Sequence, residues 1–208
     1  MVAIVDYGVG NLFSLTCSLA AIGADVTITA DPEVLAAADQ ILLPGVGAFG
    51  DAAEKLRAGG LDQVLIRLAR QGKPLLGIGL GMQLLFERSF EYGEHEGLGL
   101  IKGSVVGMEG KLPADLKIPH IGWNALHIQK ESPLLKNVKQ GDCVYFVHSF
   151  YAEDCEEAVV ATAEYGREMT AAVGYKNVFG CQFHPEKSGN VGLSILRAFL
   201  DIREGEAW

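Results

Sequence analysis

The sequence predicts an α/β fold: one domain with a central, mostly parallel sheet flanked by helices, joined in its second half by additional antiparallel or mixed strands. Three observations predict it. Short strand-like runs alternate with helically spaced apolar patterns over the first ninety residues. The runs VAIV, ILL and PLLGI are apolar on both faces, as strands covered by helices on either side must be. After residue 100, strand-like runs follow one another through short links.

Taken in order, residues 2–6 (VAIVD) read as a buried strand. Residues 12–22 carry apolar side chains at helical spacing behind Asn11, a residue suited to an N-cap. Residues 25–29 and 40–43 are the second and third strands. Residues 51–57 and 61–71 are helical pieces split by Gly59-Gly60. Residues 73–78 form a fourth strand, and a helix is expected from about Leu80 to Phe90. In the second half, 105–106, 124–128, 144–148, 158–163, 170–175 and 178–183 are strand-like, and a last helix covers 191–202. No repeat, linker or low-complexity segment interrupts residues 1–208, so one domain is expected.

Hydrophobic residues make up 49% of the chain and charged residues 21%, which supplies a real core. The formal net charge is −9 and no basic footprint stands out, so nucleic acid is not expected as a partner. The longest charge-free stretch, 7–24, holds Gly8, Gly10, Asn11, Ser14, Thr16 and Ser18 and does not read as a membrane span. Asp6 comes early and no basic segment precedes it, so a secretion signal is not expected and a cytoplasmic protein is. The four cysteines (Cys17, Cys143, Cys155, Cys181) show no C-x-x-C spacing and are expected to be reduced and mostly buried. The five histidines are scattered, so neither a metal nor another cofactor is expected.

In an open α/β sheet, ligands bind outside the carboxyl ends of the parallel strands, and three loops fall there. Pro44-Gly45-Val46-Gly47-Ala48-Phe49-Gly50 offers backbone N–H groups of the kind an oxyanion hole requires; alone, it also reads as a flexible turn. Gly77-Ile78-Gly79-Leu80-Gly81 has the G-x-X-x-G frame of a nucleophile elbow, whose sharp turn leaves no room for neighbouring side chains. Its central residue is Gly79, which has no side chain, so a phosphate loop or packing turn fits it equally well. In Gln182-Phe183-His184-Pro185-Glu186-Lys187-Ser188, His184 suits a base and Glu186 a group that orients it; alone, such a sequence is more often a surface turn.

Together these loops resemble the triad-type glutamine amidotransferases, in order and spacing, over nearly the whole chain. Asp6-Tyr7-Gly8-Val9-Gly10-Asn11-Leu12, Gly122-Trp123-Asn124, the run 145–150 (YFVHSF) and Phe183 to Ser188 are similar to the glutaminase subunits of imidazole glycerol phosphate synthases. The resemblance implies a heterodimer with a (β/α)8-barrel cyclase subunit in histidine biosynthesis, which receives ammonia released from glutamine. It implies that His184 is the base and Glu186 its support, with Gly79 at the position of the attacking cysteine. It implies oxyanion contacts from Leu80 and the Val46-Gly47 segment, with Gly45 beside them among the substrate-binding residues. Gln83 and the backbone of His148, Ser149 and Phe150 would hold glutamine's α-groups. Asn11, Trp123, Tyr145 and Lys187 would face the cyclase, although in isolation Trp123 reads as core and Lys187 as a solvated charge.

Glycine offers no thiolate. Inactivity is therefore expected, and water activated by His184 would react only very slowly. Cys181, on a strand three residues before His184, is expected to point into the core rather than to stand in. An engineered Cys-to-Gly change and a natural loss both stay open, the otherwise intact loops favouring the first. A non-catalytic glutamine-binding or scaffold subunit, or a glutaminase of another amidotransferase, are the alternatives.

Overall fold

The computed structural model describes residues 1–205. Along the chain come β1 (Val2–Val5), α1 (Leu12–Ala21), β2 (Val26–Thr29), α2 (Pro32–Ala37), β3 (Gln40–Gly45), α3 (Phe49–Ala58), α4 (Leu61–Arg70), β4 (Leu75–Gly79) and α5 (Leu80–Gln83). The second half holds β5 (Phe86–Ser89), β6 (His95–Glu96), β7 (Ile101–Gly107), β8 (His120–Ala125), β9 (His127–Ile128), β10 (Cys143–His148), β11 (Phe150–Glu153), β12 (Val159–Glu164), β13 (Glu168–Tyr175), β14 (Val178–Cys181) and α6 (Gly189–Leu200).

The main sheet has eight strands in the order β2-β1-β3-β4-β14-β13-β12-β9. From β2 to β14 all neighbours are parallel; from β14 to β9 they are antiparallel. Successive residues of β1 enter opposite layers. Ala3 and Val5 join Leu56, Leu65 and Leu68 of α3 and α4, while Val2 and Ile4 join Leu15, Leu19, Leu196 and Phe199 of α1 and α6. This two-sided burial is why β1, β3 and β4 carry no polar alternation, whereas β2 at the sheet edge reads VTIT and is only half-buried. A four-stranded sheet (β11-β7-β5-β6) and a two-stranded antiparallel ribbon (β10-β8) complete the fold.

Two helix starts follow from their capping side chains. Asn11 Oδ1 accepts from the Ser14 N–H at 3.2 Å, and Asp31 Oδ1 accepts from the Glu33 N–H at 2.8 Å ahead of Pro32.

The helix expected over 80–90 is a correction. α5 stops after one turn, and the chain continues into β5. The carbonyls of Leu84, Leu85, Phe86 and Glu87 accept from the N–H groups of Leu98, Leu100 and Ile101, Gly99 and Gly97 at 2.8–3.0 Å, instead of from residues four ahead. Leu84, Leu85 and Phe86 are fully buried in this path, so their apolar spacing did not require a helix. The cysteines are a second correction: all four are free, but only Cys155 and Cys181 are buried, whereas Cys17 and Cys143 are exposed. Among the described residues, no helix is long and apolar enough to cross a membrane.

Candidate active site

The carboxyl ends of β3, β4 and β14 place the three loops side by side. Gly45 and Gly79 are register partners across β3 and β4. Gly79 sits at φ +61°, ψ −119°, between β4 and α5, a conformation glycine adopts without a Cβ clash. The frame glycines are sterically required. A Cβ on Gly77 would lie 2.5 Å from the Gly81 carbonyl oxygen, and one on Gly81 would lie 1.8 Å from that of Leu43. A Cβ on Gly79 would instead meet the His184 ring, 2.9 Å from Cε1 and 3.1 Å from Nε2, as well as the Gly45 oxygen at 3.0 Å. A Cβ at position 79 is therefore directed at the ring edge of His184 that carries Cε1 and Nε2.

His184 Nδ1–H donates to Glu186 Oε1 at 2.8 Å, which leaves the Nε2 lone pair facing position 79. Both side chains are buried. The second carboxylate oxygen of Glu186 is buried with no hydrogen-bond partner among the described residues. The histidine's backbone is pinned on both sides. Its N–H donates to the Tyr145 carbonyl at 2.9 Å, and its carbonyl accepts from Ser188 Oγ at 2.6 Å. The same hydroxyl accepts from the Tyr145 N–H at 3.0 Å.

His184 opens onto a cavity of about 340 Å³, within the range of small-molecule sites. Gly45, Val46, Gly47, Leu80, Gln83, His148, Ser149 and Phe150 all line it, so the structure brings together every residue expected to hold substrate. Gln83 Nε2 donates to the Phe150 carbonyl and to Gln182 Oε1, both at 3.0 Å. Glu91 and Tyr92 also line the cavity and were not foreseen. Glu91 accepts from the Phe49 N–H at 2.6 Å and so holds the start of α3, directly after the Pro44–Gly47 loop. Burial pushes its carboxyl up, against the pull of that N–H and of His95. Nothing local in the charged stretch 87–96 distinguishes Glu91; only the path of β5 carries it to the cavity.

The glutamine amidotransferase class-I pattern matches residues 3–202. The chain belongs to the class-I glutamine amidotransferases. It is 51% identical over 207 residues to "Imidazole glycerol phosphate synthase subunit HisH" of Bacillus licheniformis, covering 98% of this chain and 97% of that one. It is 50% identical over 203 residues to the protein of the same name in Caldanaerobacter subterraneus subsp. tengcongensis, covering 97% and 98%. In fold it is similar to the structure of PurLQS from Thermotoga maritima, with TM-score 0.74, 21% identity and coverage of 96% and 97%.

Three of the four residues expected to face a partner come together on this amidotransferase. Trp123 of β8 and Tyr145 of β10 are register partners with their rings edge to face at 6.1 Å, and Lys187 Nζ stands 5.9 Å from the Tyr145 ring centre. Trp123 is 58% exposed, so it is not a core residue. Asn11 is engaged as the cap of α1 and makes no described contact with the other three. Cys181 is fully buried, its Sγ 3.9 Å from the Gly77 carbonyl, and burial and the nearby charge of Glu186 push its thiol well up. A thiol so held does not supply the missing thiolate.

Proposed function

We propose that this amidotransferase is the glutamine-binding subunit of an imidazole glycerol phosphate synthase, and that Gly79 stops it before the first covalent step. The observation that carries the reading is the direction of position 79: its Cβ would face the free Nε2 of His184. With cysteine there, Nε2 takes the thiol proton and the thiolate attacks the side-chain amide carbon of glutamine. N–H groups of Leu80 and the Gly45–Gly47 segment meet the oxyanion. His184 returns its proton to the departing ammonia, then activates water to hydrolyse the thioester. Glu186 stabilises the imidazolium and holds its orientation.

The remaining cavity groups suit the amino-acid end of glutamine. Gln83 has both amide hydrogens engaged, leaving its oxygen to accept from the α-ammonium, and Glu91 adds negative charge. Backbone N–H groups around His148, Ser149 and Phe150 suit the α-carboxylate. A (β/α)8-barrel cyclase would dock on the face of Trp123, Tyr145 and Lys187, with Asn11, as a heterodimer, and would receive the ammonia. No cofactor takes part.

Gly79 itself favours a second reading, a subunit that binds glutamine or its partner without hydrolysis. The Gly79→Cys variant, assayed for glutamine hydrolysis with and without the cyclase, separates the two. Hydrolysis stimulated by the cyclase supports the proposal. A stable complex with no hydrolysis supports the scaffold, and co-purification of a different synthase identifies another amidotransferase.

A further inference from the structure

A buried histidine pair, one member of which (His148) lines the cavity, has side chains that the catalytic scheme does not use. His120 Nδ1 is 3.0 Å from His148 Nε2, and His148 Nδ1 is 2.9 Å from the Phe150 carbonyl oxygen. His120 is stacked between the rings of Phe146 at 4.9 Å and Tyr165 at 4.1 Å, and its Nε2 lies 3.4 Å from Asn124 Nδ2. The protons in this chain are fixed from both ends. The Phe150 oxygen only accepts, so His148 carries its proton on Nδ1 and presents a bare Nε2. His120 Nδ1–H must then donate to it. Asn124 is oriented independently, because its Nδ2 donates to the Glu164 carbonyl at 2.7 Å and its Oδ1 accepts from the Ala125 N–H at 2.8 Å. Its remaining amide hydrogen faces the bare Nε2 of His120.

The Phe150 carbonyl at the end of this chain also accepts from Gln83 Nε2 at 3.0 Å, so the relay terminates on a cavity side chain. Its other end lies on β8, the strand that carries Trp123. We infer that His120 is a positioning residue: its Nδ1–H locks the tautomer of His148 and, through the Phe150 carbonyl, the placement of Gln83 in the cavity. The inference rests on the proposed role of Gln83 toward glutamine, but the lock itself is a property of the free chain. The groups facing the pair are the Phe146 and Tyr165 rings, Asn124, the Phe150 carbonyl and His184, with no carboxylate among its described contacts. Burial holds both histidines below their ordinary range, which keeps them neutral and the pattern intact at neutral pH.

Histidine-labelled ¹⁵N NMR on the unaltered chain tests the lock directly. Both His120 and His148 are expected as Nδ1–H tautomers, the rarer form for free histidine; an Nε2–H tautomer at His148 overturns the inference. Two variants test its consequence. His120→Phe keeps the stacking and removes the donor, whereas His120→Asn places an amide N–H where Nδ1–H stood. The Gln83 side-chain amide resonances are expected to shift in His120→Phe and to return in His120→Asn. Glutamine affinity of the Gly79 chain bound to its cyclase, measured by calorimetry, should fall about tenfold in the first and stay within about threefold in the second. Equal effects of the two variants, or none in either, overturn the positioning role. Should the complex bind no glutamine at all, the functional reading fails, while the NMR result still decides the lock.

Discussion

At position 79, backbone and chemistry make opposite demands. A non-glycine residue at φ +61° carries strain of about 1–3 kcal/mol. A new Cβ must also displace the His184 ring and press on the Gly45 oxygen. Glycine avoids both, offset by about 0.5–1 kcal/mol of extra chain entropy lost on folding. The Gly79→Cys variant is therefore expected to be equal to or less stable than the glycine form, by about 1 kcal/mol, in reversible urea unfolding under reducing conditions without glutamine or partner. A cysteine variant clearly more stable at an unchanged m-value would show that this turn is unstrained. In that same variant, His184→Ala should abolish most hydrolysis, and Glu186→Ala should do less harm because Glu186 orients the base without transferring a proton. Comparable turnover in the His184→Ala protein would remove His184 as the base, whereas ammonia-dependent synthesis by the cyclase should survive both changes. These residues were legible in the sequence because three loops at the strand ends together resemble a known family, whereas each loop alone also fits a plain turn. Glu91 and His120 were not, since their positions depend on strands that pair across the molecule.

At the scale of elements, the β8–β10 ribbon does two jobs. Its outer face exposes Trp123 and Ile121, and its edge pins the His184 backbone through Tyr145 and Ser188. Trp123→Ala should weaken cyclase binding by about 2 kcal/mol or more if Trp123 is a central anchor, read by titration calorimetry. Unchanged affinity would place the interface elsewhere. Ser188→Ala removes a buried hydroxyl that serves two backbone groups, and should cost about 1–3 kcal/mol of unfolding free energy. A neutral effect would mean that water or a shift of the turn replaces both bonds. Of the ribbon's strands, β10 was visible as the run 144–148, whereas the run 124–128 covers only the last two residues of β8 and then β9. The turn from α5 into β5 was not visible, because the apolar spacing of 80–90 serves a helix or this buried path equally, and the choice was made by N–H groups of residues 97–101. α2 is not among the elements expected from sequence, because six residues are too few to show helical periodicity.

At the scale of the whole molecule, the buried histidine pair ties global stability to pH. Burial brings His148 down to about 3 from an ordinary 6.5, and lowers His120 as well. Below 6.5 the unfolded chain takes up protons at these sites and the folded chain does not, so stability falls as pH drops. At pH 5.5, one such histidine costs about 1.4 kcal/mol relative to high pH, an amount set by the unfolded value and insensitive to how far the folded one lies below 5. The loss extends down to about 3 for His148. Among the shifted carboxyls, Glu91, which burial raises above its ordinary value, opposes the trend, while Asp39, Glu153 and Glu168, which are lowered, add to it only once the pH falls into the ordinary carboxylate range. Urea unfolding of the chain alone at pH 7.5, 6.5 and 5.5 should therefore show a progressive loss exceeding about 1 kcal/mol. A His148→Phe variant starts from a lower stability, because it leaves His120 Nδ1–H without its acceptor, but should show a shallower slope. A pH-independent unfolding free energy over this range in the parent chain would mean that His148 is charged or solvated in the folded state, and the buried histidine relay would fall with it.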